Sequence, residues 1–196
     1  MTEKTLVLIK PDAVKKSICG KILSKFEDAG LKIVGIKMVW ADENLARNHY
    51  YLDETWARSV YEKKKKSCEE QGKDFPCKDP LEVGKQIQSW NVEYLMEGPV
   101  IAMVLEGNYA VEIVRKLVGS TEPKSSAPGT IRGDFASTES YGLADYEKRV
   151  LRTLVHASDS PENAKREIAL WFNIDELHSN YKTIHDFLLR EYHPED

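Results

Sequence analysis

The sequence has little cysteine, no long apolar run and no excess of positive charge. Its three cysteines (Cys19, Cys68, Cys77) form no C-x-x-C pair, so they spell out neither a zinc pattern nor a disulfide framework. Cys68 and Cys77 could bridge a loop, but free thiols in a reducing cytoplasm are the preferred reading. The longest apolar stretches, such as PVIAMVL at 99–105, are too short to span a bilayer. The N-terminal MTEKTLVLIK lacks the apolar core and small-residue cleavage site of a signal peptide. A soluble cytoplasmic protein with no membrane contact is therefore expected. Lys plus Arg is 28 against 32 for Asp plus Glu, a net charge of −4. That balance excludes a generally basic nucleic-acid coat, and no specific nucleic acid is expected as a partner. It leaves room for an anionic substrate, because a few local cations can override a mild global charge. What is present suits a globular domain. Residues are 41% hydrophobic and 31% charged over 196 positions, enough chain for a real core.

The pattern along the chain predicts alternating strands and helices. TLVLI at 5–9 is a β-rich apolar run that stops at Lys10-Pro11-Asp12. Residues 17–30 have helical spacing through Ile18, Ile22, Leu23 and Phe26, with Gly30 suited to the C-terminal cap. LKIVGIKMVW at 31–40 alternates like a half-buried strand, and Asp42 suits the N-cap of a short helix through Tyr50. LEVGKQIQSWNVEYLM at 81–96 has helical spacing, PVIAMVLEG at 99–107 reads as a buried strand, and a helix follows from about Tyr109 to Val118. Residues 119–134 are rich in Gly and Pro and read as loop. LVHAS at 154–158 is a short strand, and Ser160-Pro161-Glu162 opens a helix running to about Phe172. Two segments break the pattern, at about 53–80, with loop signals around Gly72, Pro76 and Pro80, and at about 136–149. Both read as inserts in a single domain covering 1–196, either covering a cleft or sitting at a subunit contact. The order fits an α+β chain. A ferredoxin-like βαββαβ antiparallel sheet with helices on one face fits it, and a doubly wound parallel sheet fits almost as well.

No Walker A loop, G-x-S-x-G elbow or H-E-x-x-H helix occurs. Any phosphate chemistry must use side chains gathered from several places. Lys10 ends a buried-type strand, where one cation can meet an anion; taken alone it reads as a solvated lysine. Arg132 lies in TIRGD between Gly129 and Gly133, where backbone can approach a ligand and Arg can bind phosphate; a loop arginine paired with Asp134 is the plainer reading. Arg115 on its helix, with Thr121 just beyond, reads singly as surface. His156 falls in an apolar strand immediately before a helix N-terminus. A buried imidazole needs a partner, and one that stays neutral is a nucleophile; a satisfied core histidine is the alternative. Glu167, eleven positions on, could fold back to fix its tautomer, or face solvent. The Lys63–Lys66 run has no interleaved aromatics and reads as a solvated helix face.

Together, TLVLIKPDAV at 5–14, GPVIAMVLEG at 98–107, VGSTEPKSSAPGTIRGDF at 118–135 and LVHASDSPENAKREIALWF at 154–172 resemble the nucleoside diphosphate kinase family. The resemblance implies the ferredoxin-like fold, assembly as a hexamer or tetramer, and transfer of a γ-phosphoryl group from nucleoside triphosphate to diphosphate. Transfer would run through a phosphohistidine with Mg²⁺, the ion held mainly by the nucleotide's phosphates and not by protein ligands. By the same resemblance His156 matches the nucleophile, and Ser158 and Glu167 match the pair that supports it. Lys10, Arg115, Thr121 and Arg132 match the phosphate-holding positions, and Tyr50 matches a tyrosine near the histidine. Two departures stand out. Thr153 occupies a position where the family has an asparagine contacting the sugar, which predicts a weakened or rearranged sugar contact. Ile87 falls where the family stacks a phenylalanine on the base, with Trp90 as a substitute platform. Thr153 and the inserts motivate a rival expectation, a nucleotide-binding regulatory protein with weak or lost transferase activity.

Overall fold

A computed structural model describes residues 2–185 except 71, 73 and 76. Pro76, one of the loop signals, lies outside the described residues. Four strands form one sheet: β1 (Thr2–Ile9), β2 (Lys32–Val39), β3 (Val100–Asn108) and β4 (Val155–Ala157), in the order β2-β3-β1-β4. Every neighbouring pair is antiparallel, which selects the ferredoxin-like arrangement over the parallel one. The helices are α1 (Pro11–Lys15), α2 (Cys19–Asp28), α3 (Glu43–His49), α4 (Glu54–Glu70), α5 (Pro80–Met96), α6 (Ala110–Val118), α7 (Ile131–Phe135), α8 (Tyr141–Tyr146) and α9 (Pro161–Trp171).

The expectation of helices on one face is corrected. Val7, Ile9, Met103 and Leu105 pack with residues of α2 and α6 on one side of the sheet. Leu6, Leu8, Ala102 and Val104 pack with residues of α3, α5 and α9 on the other. The reason is in the central strands. Leu6 to Ile9 and Ala102 to Leu105 are buried at every position, so both pleat faces need cover.

Local signals set most boundaries. The Asp42 carboxylate accepts from Leu45 N, and the Ser160 hydroxyl accepts from Asn163 N, so each caps the helix it was expected to start. Part of the expected 119–134 loop is helix. Thr130 caps α7, and five residues are too few to show a period. Much of 53–80 is α4, which lies against α5. The two helices touch closely at Gly84, where an added Cβ would sit 2.8 Å from the Ala57 Cβ. The 136–149 segment carries α8 and is tied down by Glu139. That carboxylate takes Arg149 Nη1 and Nη2 at 2.7 and 3.0 Å and Arg152 N at 3.2 Å. All three cysteines are free, and no helix of the described residues is long and apolar enough to cross a membrane.

Candidate active site

The β1–β4 pairing builds the site. Its register sets Leu8 opposite His156 and Ile9 opposite Val155, so the residue leaving β1, Lys10, arrives beside the segment that carries the histidine. A cleft of about 420 Å³ opens there. Lys10, Tyr50, Ile87, Arg115, Thr121, Arg132, Thr153, His156 and Glu167 all line it; of the expected site residues only Ser158 does not, because it lies wholly buried behind Glu167. Both irregular segments also reach the cleft: Trp56, Val60, Lys63, Lys64 and Ser67 from α4, and Tyr141, Ala144, Asp145 and Arg149 from around α8. Lys64 is therefore not on a freely solvated face.

His156 is held from behind. Its Nε2–H donates to Glu167 Oε2 at 2.9 Å, and Ser158 Oγ–H donates to the same oxygen at 2.6 Å. Ser158 is fixed in turn by Leu6 N at 3.3 Å. Burial alone would raise the Glu167 pKa, but His156, Ser158 and Arg166 outweigh it and hold the carboxyl below its ordinary value. A carboxylate there requires the proton on Nε2, which leaves Nδ1 with the lone pair. Among the described residues no hydrogen bond involves that Nδ1.

The cations are built differently from one another. Lys10 is buried, and its Nζ donates to Thr153 Oγ1 at 3.0 Å and lies 4.9 Å from the centre of the Tyr94 ring. Burial, aided by the nearby Arg132 guanidinium, lowers its pKa to about 7. Arg132 does not pair with Asp134, which Lys25 takes at 2.8 Å. Its guanidinium instead donates to four carbonyls: Thr153 at 3.2, Gly119 at 3.0, Ser120 at 2.8 and Val155 at 2.9 Å. That grip uses four of five N–H donors and leaves one for an anion. Arg115, exposed in the last turn of α6, has no hydrogen-bond or ion-pair partner among the described residues.

Several residues here were missed by sequence reasoning. Leu154 has φ of +62°, and Val155 N donates to Thr153 O at 2.6 Å, which makes a tight three-residue turn two positions before His156. Such a conformation in a leucine costs about 1–3 kcal/mol and persists only where its surroundings impose it. Here Lys10 N donates to Leu154 O at 2.8 Å, Leu154 N to Asp12 Oδ2 at 3.2 Å, and Thr153 N to Tyr94 Oη at 3.2 Å. Asp12 stood in the KPDAV motif, but nothing in the sequence pointed to Tyr94. His49 was also missed. It is buried, its ring lies edge-on 4.3 Å from that of His156, and its Nδ1 accepts from Trp171 Nε1 at 3.2 Å. Burial, with help from His156 and Lys10, holds it well below the ordinary histidine pKa and so neutral. His49, His156 and Glu167 offer ligand atoms within 4.8 Å of one another. The trio is not set as a metal cage: His49 Nδ1 accepts from Trp171, which puts the neutral ring's proton on Nε2, and Glu167 Oε2 already takes two hydrogen bonds.

Comparison with known proteins agrees on one family. The family model described as nucleoside diphosphate kinase matches residues 3–71 and 82–177. The chain is 51% identical to the nucleoside diphosphate kinase of Pyrobaculum aerophilum over 89% of its own length and 97% of that protein. It is 43% identical to the one of Pyrococcus horikoshii over 90% of its length and 88% of that protein. The crystal structure of the Pyrobaculum aerophilum NDP kinase superposes with a TM-score of 0.87 at 48% identity, covering 91% of this chain and 100% of that one. A nucleoside-diphosphate kinase of Borrelia burgdorferi, solved as a transition state mimic with vanadate and ADP, gives 0.78 at 34% identity, covering 94% and 95%.

Proposed function

The chain belongs to the nucleoside diphosphate kinase family, and from that premise we propose that it transfers the γ-phosphoryl group of a nucleoside triphosphate to a nucleoside diphosphate by way of His156. The observation that carries this reading is the pair His156–Glu167. With Nε2–H held at 2.9 Å, Nδ1 is the nitrogen left to act, in a cleft also lined by Lys10, Arg115 and Arg132.

Phosphoryl transfer asks mainly for alignment and neutralisation of charge. The Nδ1 lone pair attacks the γ-phosphorus in line as the bond to the bridging β-oxygen breaks, and the nucleoside diphosphate leaves with that oxygen. The imidazole gains positive charge as the N–P bond forms, and Glu167 stabilises it through Nε2–H. Lys10, Arg115 and the free donor of Arg132 offset the charge on the phosphates. Thr121 and Tyr50 line the same cleft, and Ile87 with Trp90 forms its apolar floor. Thr153 serves this arrangement by accepting from Lys10, so the threonine in place of an asparagine acts on the phosphate end as well as near the sugar. A second diphosphate then enters and the steps reverse.

Mg²⁺ prefers oxygen ligands and usually keeps several waters beside phosphate oxygens. The donor set fits that use. Glu167 and Asp145 are engaged with His156 and Lys64; Asp159, whose Oδ1 accepts from Asn163 Nδ2 at 2.6 Å, keeps Oδ2 to take an ion-bound water. When bound, the ion neutralises phosphate charge. Free thiols suit a reducing compartment, and we place the protein in the cytoplasm. Assembly of several copies is supported by Ile36 and Met38 on the β2 edge of the sheet and Trp40 just beyond its end, at alternating positions and 51%, 62% and 68% exposed.

The test has two halves. Incubation with γ-labelled ATP and Mg²⁺ gives acid-labile label on the protein, and added diphosphate removes it. Label that persists in His156→Ala, or that no diphosphate can chase, overturns the reading.

A further inference from the structure

The cleft has a second end that the transfer chemistry does not use. Its floor is the apolar surface of Ile87 and Trp90 on α5. Its walls are α4 and α8, which come from separate segments of the chain. An ion pair joins the two walls: Lys64 Nζ of α4 lies 2.9 Å from Asp145 Oδ1 of α8, and the same ammonium sits 5.2 Å from the centre of the Trp90 ring. Lys64 and Asp145 keep 26% and 25% of their side-chain exposure, so the pair is half-buried at the cleft wall.

We propose that Lys64 and Asp145 are positioning residues for the nucleoside moiety: by tying α4 to α8 they close the outer end of the cleft around the base and slow nucleotide release. The inference rests on the function proposed above, since it needs a nucleotide whose phosphates lie at His156. Each wall has its own support. Packing against α5 at Ala57 and Gly84 holds α4, and the Glu139 bonds to Arg149 and Arg152 hold the segment of α8. Breaking the pair therefore parts the two walls without unfolding either.

The sign of one substitution separates this role from plain electrostatics. Asp145 is an anion on the wall of a site for a polyanion. If it acted only through its charge, Asp145→Asn would tighten binding. As half of a tie, its loss weakens binding. The experiment measures release of a fluorescent diphosphate analogue by stopped-flow chase, KM for the diphosphate, and the rate of phosphoenzyme formation at saturating ATP. Asp145→Asn and Lys64→Met each speed release and raise KM by about two- to fivefold, the size of a partly exposed ion pair, while the saturating rate stays put. The exchanged pair Lys64→Asp with Asp145→Lys recovers release close to wild type. Unchanged or slower release in Asp145→Asn, or an exchanged pair no better than the single variants, overturns the proposal. Wild-type protein that takes label from ATP while release is unmoved removes this inference alone; wild-type protein that takes no label removes the kinase reading and this inference with it.

Discussion

The two ends of the cleft are built on opposite plans. At the phosphate end the working groups are buried: Lys10 is 6% exposed, Glu167 5% and Ser158 0%, and each has a partner at 3.0 Å or less. At the nucleoside end the walls are surface helices joined by a half-exposed ion pair. Burial at the first end strengthens each polar contact and makes each loss expensive. Exposure at the second keeps its tie weak enough to part, which a site that must admit and release nucleotide in every half-reaction requires. The difference assigns roles. On the proposed function, chemistry is set at the phosphate end and substrate residence at the other.

The contrast can be broken by substitution. Glu167→Gln keeps the shape but leaves no carboxylate to stabilise the imidazolium. The saturating rate of phosphoenzyme formation should fall about 10- to 100-fold, as for other partners of a working histidine, with KM little changed. An equal rise in KM would erase the division of labour.

Lys10 gives a pH test of the same end. Its pKa is lowered to about 7 in the free protein, and a bound polyphosphate raises it again. Above pH 7 binding then takes up a proton, so affinity falls with rising pH, by up to about tenfold per unit until the bound-state value is reached. Calorimetry in buffers of different ionisation enthalpy reads the proton directly, and Lys10→Arg removes the slope. The effect on the fold has the opposite sign. Between about 7 and 10.5 the unfolded chain holds the lysine proton that the folded chain lacks, so this group makes stability rise with pH.

Smaller effects follow at the turn and at the floor. Tyr94→Phe removes the acceptor of Thr153 N and loosens the turn at Leu154. A loss of about 1 kcal/mol in denaturant unfolding is expected, together with a slower saturating rate. Ile87→Ala trims the apolar floor and raises KM about two- to threefold with the saturating rate unchanged, because the lost apolar contact lies away from the reacting phosphate.

How much of this was legible follows from the kind of signal each feature leaves. The apolar runs of β1 and β3, and the caps at Asp42 and Ser160, are local, and they marked their elements. The joint presence of the His156, Arg132 and Lys10 segments in one order carried the site. The layering of helices on both sheet faces was hidden because a strand buried on both sides reads as an unbroken apolar run, with no alternation to say where its cover lies. The left-handed Leu154 has no residue signature, since Gly, the usual marker of such a backbone, is absent there. The turn's supports are distant: Asp12 lies 142 positions from Leu154, and Tyr94 lies 59 from Thr153. Arg132 looked paired with its neighbour Asp134, but tertiary contact gave that carboxylate to Lys25, 109 positions distant. The tie between Lys64 and Asp145 spans 81 positions and shows only once α4 and α8 face each other.

In the proposed mechanism Glu167 chooses which nitrogen of His156 reacts. Phosphorus–proton correlation NMR of the denatured phosphoenzyme, kept alkaline to preserve the N–P bond, distinguishes the two phosphohistidine isomers. Phosphate on Nδ1 of His156 is the predicted result; phosphate on Nε2, the nitrogen held by Glu167, would contradict it.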